Sequence, residues 1–190
     1  MTMSYFEEEV FNSENISELS SLKGGEFICC EFNDLDLSGL DASGAKFIEC
    51  KFNNSNLSNL NLLGATLRDV SFRDCKCVGI NFSECNNLFD LRFKRASLDY
   101  TSFVDCSLNS SSFIESSFKE ADFSQGTFEN CDFTNSNLLG ANFSMANMKG
   151  SNFSHAINFY IDITNTNLKK CKFTMPEALN LLGPFGIEIE

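Results

Sequence analysis

Ser136-Asn137-Leu138-Leu139-Gly140-Ala141-Asn142-Phe143-Ser144 decides how this chain folds. A large apolar residue, Leu138 and then Phe143, recurs after five positions. Two places before each stands a small residue, Ser136 or Ala141, and directly before each an asparagine, Asn137 or Asn142. The same count runs outward in both directions. Upstream it meets Phe133, Phe128, Phe123, Phe118, Phe113, Leu108, Phe103, Leu98, Phe93 and Leu88. After one slip it resumes at Phe82 and continues through Phe72, Leu67, Leu62, Leu57, Phe52, Phe47, Leu37, Phe32 and Phe27 to Leu22, with Cys77 and Ala42 as the exceptions. Downstream it passes Met148, Phe153, Leu168 and Phe173, and Asn158 and Ile163 fall out of pattern. Of the chain's 21 phenylalanines, 16 lie on this count. A period of five fits neither a helix nor a flat strand, so the repeat itself is the architectural unit.

Each five has one large and one small inward position. The other three, rich in Asn, Asp, Ser and Gly, suit solvent and bends. In these residues, most closely Ser136–Phe143 and Ala121-Asp122-Phe123, the chain resembles the pentapeptide-repeat family, whose pattern is A-(D/N)-L/F-x-x. The resemblance covers about residues 22–173. It implies an all-β solenoid, a right-handed quadrilateral β-helix with four pentapeptides per coil. Residues 20 apart then stack, and one column reads Phe32, Phe52, Phe72, Phe93, Phe113, Phe133, Phe153, Phe173, with a single step of 21. That step marks one extra residue between Phe82 and Leu88, read as a bulge or short turn at Ser83–Asn87. At a strand-like spacing of ~4.8 Å, roughly eight coils make a rod about 37 Å long.

Composition narrows the function. A length of 190 suits one domain, and the 43% hydrophobic content is spread in register as a thin core. No apolar run reaches transmembrane length and no secretory signal leads the sequence, so a cytoplasmic protein without membrane contact is expected. Of nine cysteines, Cys30, Cys50, Cys75, Cys106, Cys131 and Cys171 occupy the small inward position, Cys77 a large one, and Cys29 should point out. Cys85 would also point inward if the first register ran on. Without paired C-x₂-C knuckles, and with His155 the only histidine, the cysteines read as packing thiols; no metal and no cofactor is expected. No histidine-based constellation or phosphate-cradling glycine loop supports an enzyme. The formal charge of −12 disfavours direct nucleic-acid binding and points to a basic protein surface.

The ends of a coil stack need caps. Residues 1–21 keep the five-spacing in another phase, at Phe6, Phe11 and Ile16, and read as an acidic N-terminal cap or an imperfect first coil. Residues 174–190 read as a helix–strand tail. Thr174-Met175-Pro176-Glu177 has capping-box form, a short helix should run through Leu182 to a stop at Gly183 and Pro184, and Ile187-Glu188-Ile189-Glu190 alternates like a strand. Met175, Ala178, Leu179, Leu182, Phe185, Ile187 and Ile189 are candidates for a homodimer contact, joined by Leu139 and Phe159, outward positions one coil apart. Ile28 and Ile48 form another such outward pair. At Asn158, either a local bulge turns Phe159 inward or the asparagine bonds backbone inside. Asn158–Ile163, Lys172–Ala178 and Ile187-Glu188-Ile189 resemble the C-terminus of the family's albicidin-resistance members, and more loosely of its microcin-immunity and Qnr-type members. That resemblance implies dimerisation through the tail and protection of DNA gyrase by imitation of duplex DNA. The long loops of many Qnr proteins are missing here.

Charge placement bears on that expectation. The face holding Ala42, Leu62, Phe82, Phe103, Phe123, Phe143 and Ile163 carries Asp41, Glu84, Asp105, Asp122 and Asp162, with Lys23 its one cation, in the first turn. The all-Phe face instead carries Lys51, Arg73, Arg92, Lys94, Arg95 and Lys172. Duplex DNA has one charge per ~1.7 Å, so about 37 Å holds roughly 22 charges, against a net 12 here. The expectation is a DNA-mimicking protein that binds DNA gyrase or topoisomerase IV and protects it from poisons. The alternative is a pentapeptide scaffold or interaction module without a topoisomerase target.

Overall fold

The structure, a computed structural model, describes residues 4–16, 21–185 and 187. It is a parallel β-solenoid of about eight turns. One ladder stacks β1 (Tyr5–Glu7), β3 (Glu26–Ile28), β5 (Lys46–Ile48), β7 (Thr66–Arg68) and β9 (Asn87–Phe89). The adjoining ladder stacks β2 (Val10–Phe11), β4 (Glu31–Asn33), β6 (Lys51–Asn53), β8 (Ser71–Arg73), β10 (Arg92–Lys94) and β11 (Ser112–Ile114). β12 (Asn152–Phe153) and β13 (Lys172–Phe173) close the far end. On the other two sides each level is a single bridge, as in Ser97↔Ser117↔Asn137 and Ser102↔Asp122↔Asn142.

The pentad explains this backbone. The small inward residue and the large one lie two apart on a short extended stretch, so both face the axis. The chain then bends, and the second residue after each large one has positive φ almost throughout: Asp34, Asn54, Asn59, Asp74, Asn130 and Asn135 all lie between +48° and +59°. Asn and Asp tolerate this region best among residues with a Cβ. Each coil is tied to the next through its main chain, for example Leu57 N–H to the Lys76 carbonyl at 2.6 Å and Asn56 N–H to the Leu35 carbonyl at 2.8 Å. Side chains follow the same vertical order, as when Asn142 Nδ2 donates to Asp122 Oδ1 and Asn54 Nδ2 to Asp34 Oδ1.

Inside, Phe32, Phe52, Phe72, Phe93, Phe113, Phe133, Phe153 and Phe173 stand in one column, and Phe11 extends it, since β2 pairs with β4 through Phe11↔Phe32. The single extra residue sits where the five-count slipped. A one-turn 3-10 helix, Phe82–Glu84, absorbs it, and the ladder resumes with Leu67↔Leu88 and Phe72↔Phe93. The other inward position holds mostly Ala, Ser, Cys, Thr or Gly, with buried aliphatics at Leu35, Leu60, Val70, Ile80 and Leu91, and its room varies from level to level. A Cβ on Gly126 would lie 2.9 Å from the Cys106 carbonyl oxygen and inside the Phe128 ring. Hydroxyls and thiols at this position bond to the main chain 23 residues earlier, Ser151 Oγ to the Phe128 carbonyl at 2.7 Å and Cys131 Sγ to the Leu108 carbonyl at 3.0 Å. No buried side-chain N or O among the described residues lacks a partner.

Three local expectations change. Phe159 does not face outward beside Leu139. Asn158 takes φ +60° and is exposed, and the bulge turns Phe159 inward to 2% exposure. Ile161 is buried with it, and Ile163, an inward position by the five-count, is 40% exposed. The 20-residue step survives because Phe153 still pairs with Phe173. Second, no capping box forms. The Thr174 hydroxyl oxygen accepts from His155 N–H at 2.8 Å, closing the last bend, and Ala178 N–H bonds to the Thr174 carbonyl instead. Third, the helix is a 3-10 helix over Glu177–Phe185, so Gly183 and Pro184 do not stop it. The glycine is used for approach, since a Cβ on Gly183 would lie 2.9 Å from the Tyr160 ring. Ile187 is in no strand; Glu188–Glu190, the rest of the expected strand and including Ile189, lie outside the described residues.

Phe113 stacks on Phe93 and Phe133 and meets Phe103, Phe118 and Phe123 edge-on. Phe113→Ala should cost about 3–5 kcal/mol, and Phe113→Asp should abolish the folded stack. Phe89→Ala, at a 59% exposed site, should change stability by less than about 0.5 kcal/mol. Chemical denaturation followed by circular dichroism checks the contrast.

Candidate protein-interaction surfaces

The acids expected to form a stripe do share one side of the solenoid, but in two separate rows. Asp41 and Asp122 sit in the bridge ladder, Asp41↔Asn61 at one end and Asn81↔Ser102↔Asp122↔Asn142 beyond it. Neutral residues therefore occupy the levels between them. Asp162 lies in the bulged stretch, between buried Ile161 and exposed Ile163, and borders a groove with Asn142 without bridging to it. Glu84 ends the 3-10 turn at the slip, and Asp105 lines a shallow groove of about 360 Å³ against that turn with Phe82, Ser83 and Cys85. No two of the five carboxylates meet.

Each laddered acid is tied locally, and so is Asp162. Asp41 accepts from Ser43 N–H at 2.9 Å and pairs with the Lys23 ammonium at 2.9 Å. Hydrogen bonding from Ser43, then Lys23, holds its carboxyl well below the usual range. The Thr164 hydroxyl and N–H, at 2.6 and 2.8 Å, likewise hold the Asp162 carboxyl below its ordinary value. A lowered folded-state pKa means that these bonds contribute stability above the ordinary carboxylate pKa of about 4 and lose it as pH falls through the folded values. Asp41 and Asp162 thus keep their charge at neutral pH.

The tail candidates gather at the other end. Leu181 packs against the core from the 3-10 helix, while Ala178, Leu179 and Leu182 are half-buried. Met175, Phe185 and Ile187 are 69%, 51% and 53% exposed. Leu179 and Ile187 border an open groove of about 520 Å³ whose floor includes Leu139, Phe159 and Tyr160. Ile157, exposed and bridged to Asn137 two residues before Leu139, extends this apolar region. Counting by twenties already puts Tyr160 near Leu139 and pairs Ile157 with Asn137; the bulge at Asn158 removes only Phe159 from the surface. Phe159 belongs to this surface only as its floor.

Several cations pair with carboxylates along the ladders. Lys46 pairs with Glu26 at 3.3 Å, Lys51 with Glu31 at 2.8 Å and Lys149 with Glu129 at 3.3 Å, each one coil apart. Arg95 grips Asp74 through two nitrogens at 2.6 and 2.7 Å. Among the described residues no group of three or more His, Cys, Asp or Glu is placed to hold a metal ion. No helix is long and apolar enough to cross a membrane.

The chain is a parallel solenoid with one pentad per side and an aromatic core. The chain belongs to the pentapeptide-repeat family: the family model described as "Pentapeptide repeat region" matches residues 25–103, and "Pentapeptide repeats (8 copies)" matches 87–125 and 116–154. Curated protein sequences gave no significant match. Among solved structures, full-length QnrB1, a plasmid-mediated fluoroquinolone resistance protein, is similar at TM-score 0.56 and 19% identity, covering 98% of this chain and 99% of that one. A trypsin-treated variant of QnrB1 gives TM-score 0.54 at 19% identity, with 100% of both chains covered. These likenesses establish the fold.

The thiols provide a test of the site geometry. Burial pushes Cys50, Cys85, Cys106 and Cys131 up to about 12 and Cys75 to about 11, and Cys29 alone is exposed. Titration of the native protein with a disulfide reagent at pH 8 should modify Cys29 first. The other thiols should react only after denaturation.

Proposed function

We propose that this protein is a non-enzymatic, cytoplasmic homodimer that binds DNA gyrase or topoisomerase IV in place of duplex DNA and protects it from topoisomerase poisons. The observation that carries this reading is the straight, loop-free solenoid with one side bearing Asp41, Glu84, Asp105, Asp122 and Asp162 and a single cation, Lys23. The end-to-end likeness to a fluoroquinolone resistance protein supports it. The apolar region at the C-terminal end supports tail-to-tail pairing, which places the acidic N-terminal coils at the two outer ends of the dimer. The acid rows steer the rod toward a basic groove; shape supplies the rest, because the charge is about half as dense as in DNA.

A second reading is a protein-interaction module without a topoisomerase target. The neutral levels at Asn61, Asn81 and Ser102, which dilute the acid row, favour it.

Purified gyrase should lose supercoiling activity at high concentrations of this protein and regain activity against a poison at lower ones. A titration showing neither effect would overturn the topoisomerase reading and leave the module. In light scattering the full chain should run at twice the monomer mass, and a chain ending at Phe173 should run as a monomer. A full chain that is monomeric at micromolar concentration would exclude the tail contact.

A further inference from the structure

The outer surface of the sheet β1–β3–β5–β7–β9 carries a feature that neither the acidic side nor the tail uses. The residue after each large inward one forms a vertical column in which Ile28, Ile48, Arg68 and Phe89 are successive ladder partners. Ile28 and Ile48 are half-buried, Phe89 is 59% exposed, and the Arg68 side chain lies at the same level of exposure. Phe89 stands here because of the extra residue at the slip, which makes Leu88 the inward residue and sends Phe89 out. The result is a column three coil steps long, about 14 Å, in which the apolar Ile28, Ile48 and Phe89 are interrupted once, by Arg68.

A row of carboxylates runs beside it. The next residue along, at the bend, is Glu8, Cys29, Glu49, Asp69 and Asp90 in successive coils, each with positive φ. Among the described residues Glu8 and Glu49 have no ion-pair partner. Asp69 and Asp90 share one guanidinium, that of Arg92, which lies 3.7 Å from Asp69 and also reaches Asp90; Arg68 approaches Asp69 only to 3.9 Å. Burial and the adjoining Asp69 carboxylate raise the Asp90 carboxyl above its ordinary range although Arg92 opposes them. The row is short of cations.

We infer that this sheet face is a docking surface for a basic amphipathic helix of a protein partner. Apolar side chains of the helix would lie on Ile28, Ile48 and Phe89 of this column, and its Lys or Arg residues would reach Glu8, Glu49, Asp69 and Asp90. Charge selects this occupant. A second copy of the face would set carboxylate row against carboxylate row, and anionic lipid or nucleic acid would be repelled. Spacing selects the helix. Its turns recur every ~5.4 Å, close to the coil spacing of ~4.8 Å, whereas same-face residues of a strand recur every ~6.8 Å. The inference rests on the binding role alone and does not require the partner to be a topoisomerase.

The test uses the full chain and a fluorescein-labelled synthetic peptide of about five helical turns, with Leu along one stripe and Lys along its flank. Its controls are a scrambled peptide of the same composition and an oligolysine of equal charge. The amphipathic peptide should bind at least tenfold more tightly than either control. Amide shifts in ¹⁵N spectra should centre on Ile28, Ile48, Arg68 and Phe89. Ile48→Thr with Phe89→Ser should weaken binding at least tenfold at unchanged circular dichroism, Glu49→Lys should also weaken it, and Asp122→Asn on the acidic side should not. Equal binding of oligolysine or the scrambled peptide, unaffected binding by the double variant, or shifts centred on another face would overturn the inference. Failure of the gyrase titration would leave it standing, and its own failure would leave the gyrase reading standing.

Discussion

Two spacings must agree for this molecule to exist. Main-chain bonding between parallel levels fixes the coil rise near 4.8 Å. Aromatic rings stacked within a column sit with centroids 4.6 to 5.7 Å apart and planes within 24° of parallel, from Phe11–Phe32 through Phe153–Phe173. A ring repeated at the ladder spacing is therefore already in offset-stacking range. Neighbouring sides of the square meet at a corner, so rings from adjacent columns approach edge to face, as in Phe113–Phe123 at 83° and Phe143–Phe153 at 85°. One residue type thus satisfies vertical and lateral packing at once.

That agreement is why so much was legible in the sequence. A slip of one residue turns every side chain to the wrong direction, so the column Phe32 to Phe173 had to reveal both the coil length and the extra residue near Ser83. The legible part ended where the pentad ceases to decide. At Asn158 a polar residue stands at a large inward position. The chain accommodates it with a left-handed residue, and Phe159 and Ile161 fill the core in place of Asn158 and Ile163. The sequence posed the alternatives there, and only the packing of neighbouring levels separates them. Thr174 misled for a related reason. The S/T-x-x-E pattern describes a local competition for N–H donors, but the His155 N–H one coil below also needs an acceptor and takes the hydroxyl. Non-local neighbours outbid local signals wherever the solenoid ends or bulges.

The candidate surfaces were legible to different depths. Assigning Asp41, Glu84, Asp105, Asp122 and Asp162 to one side needed only the count by fives and twenties. Their lack of mutual contact, and the locking of Asp41 and Asp162 by Ser43, Lys23 and Thr164, needed coordinates. A carboxylate engaged by its own turn is held in position, so Asp41, Asp122 and Asp162 are fixed in place on the surface. Association with a basic groove then loses little side-chain entropy at these sites. It also gains little from adaptation, so complementarity of shape decides which partner is accepted.

The pentad separates stability from recognition. The small and large inward positions carry the core, and the residue before the large one carries the ladder. The two that follow it join the ladder through their main chain, as in Asn59 N–H to the Val78 carbonyl at 2.8 Å, while their side chains lie outside the core. Chemistry can change there from level to level at little cost in stability, and this chain uses that freedom unevenly. On the acidic side the first of these positions holds Ser43, Ser83, Ser124 and Ser144, which act mainly in turns, together with Leu63 and Val104. On the β1–β9 sheet it holds Ile28, Ile48, Arg68 and Phe89, β-formers and long side chains that also keep three-residue strands there instead of single bridges. Apolar side chains at a position the fold leaves free are not required by the fold. Ile28, Ile48 and, beyond Arg68, Phe89 stand beside carboxylates with few cations, and the proposed helix would draw on that combination.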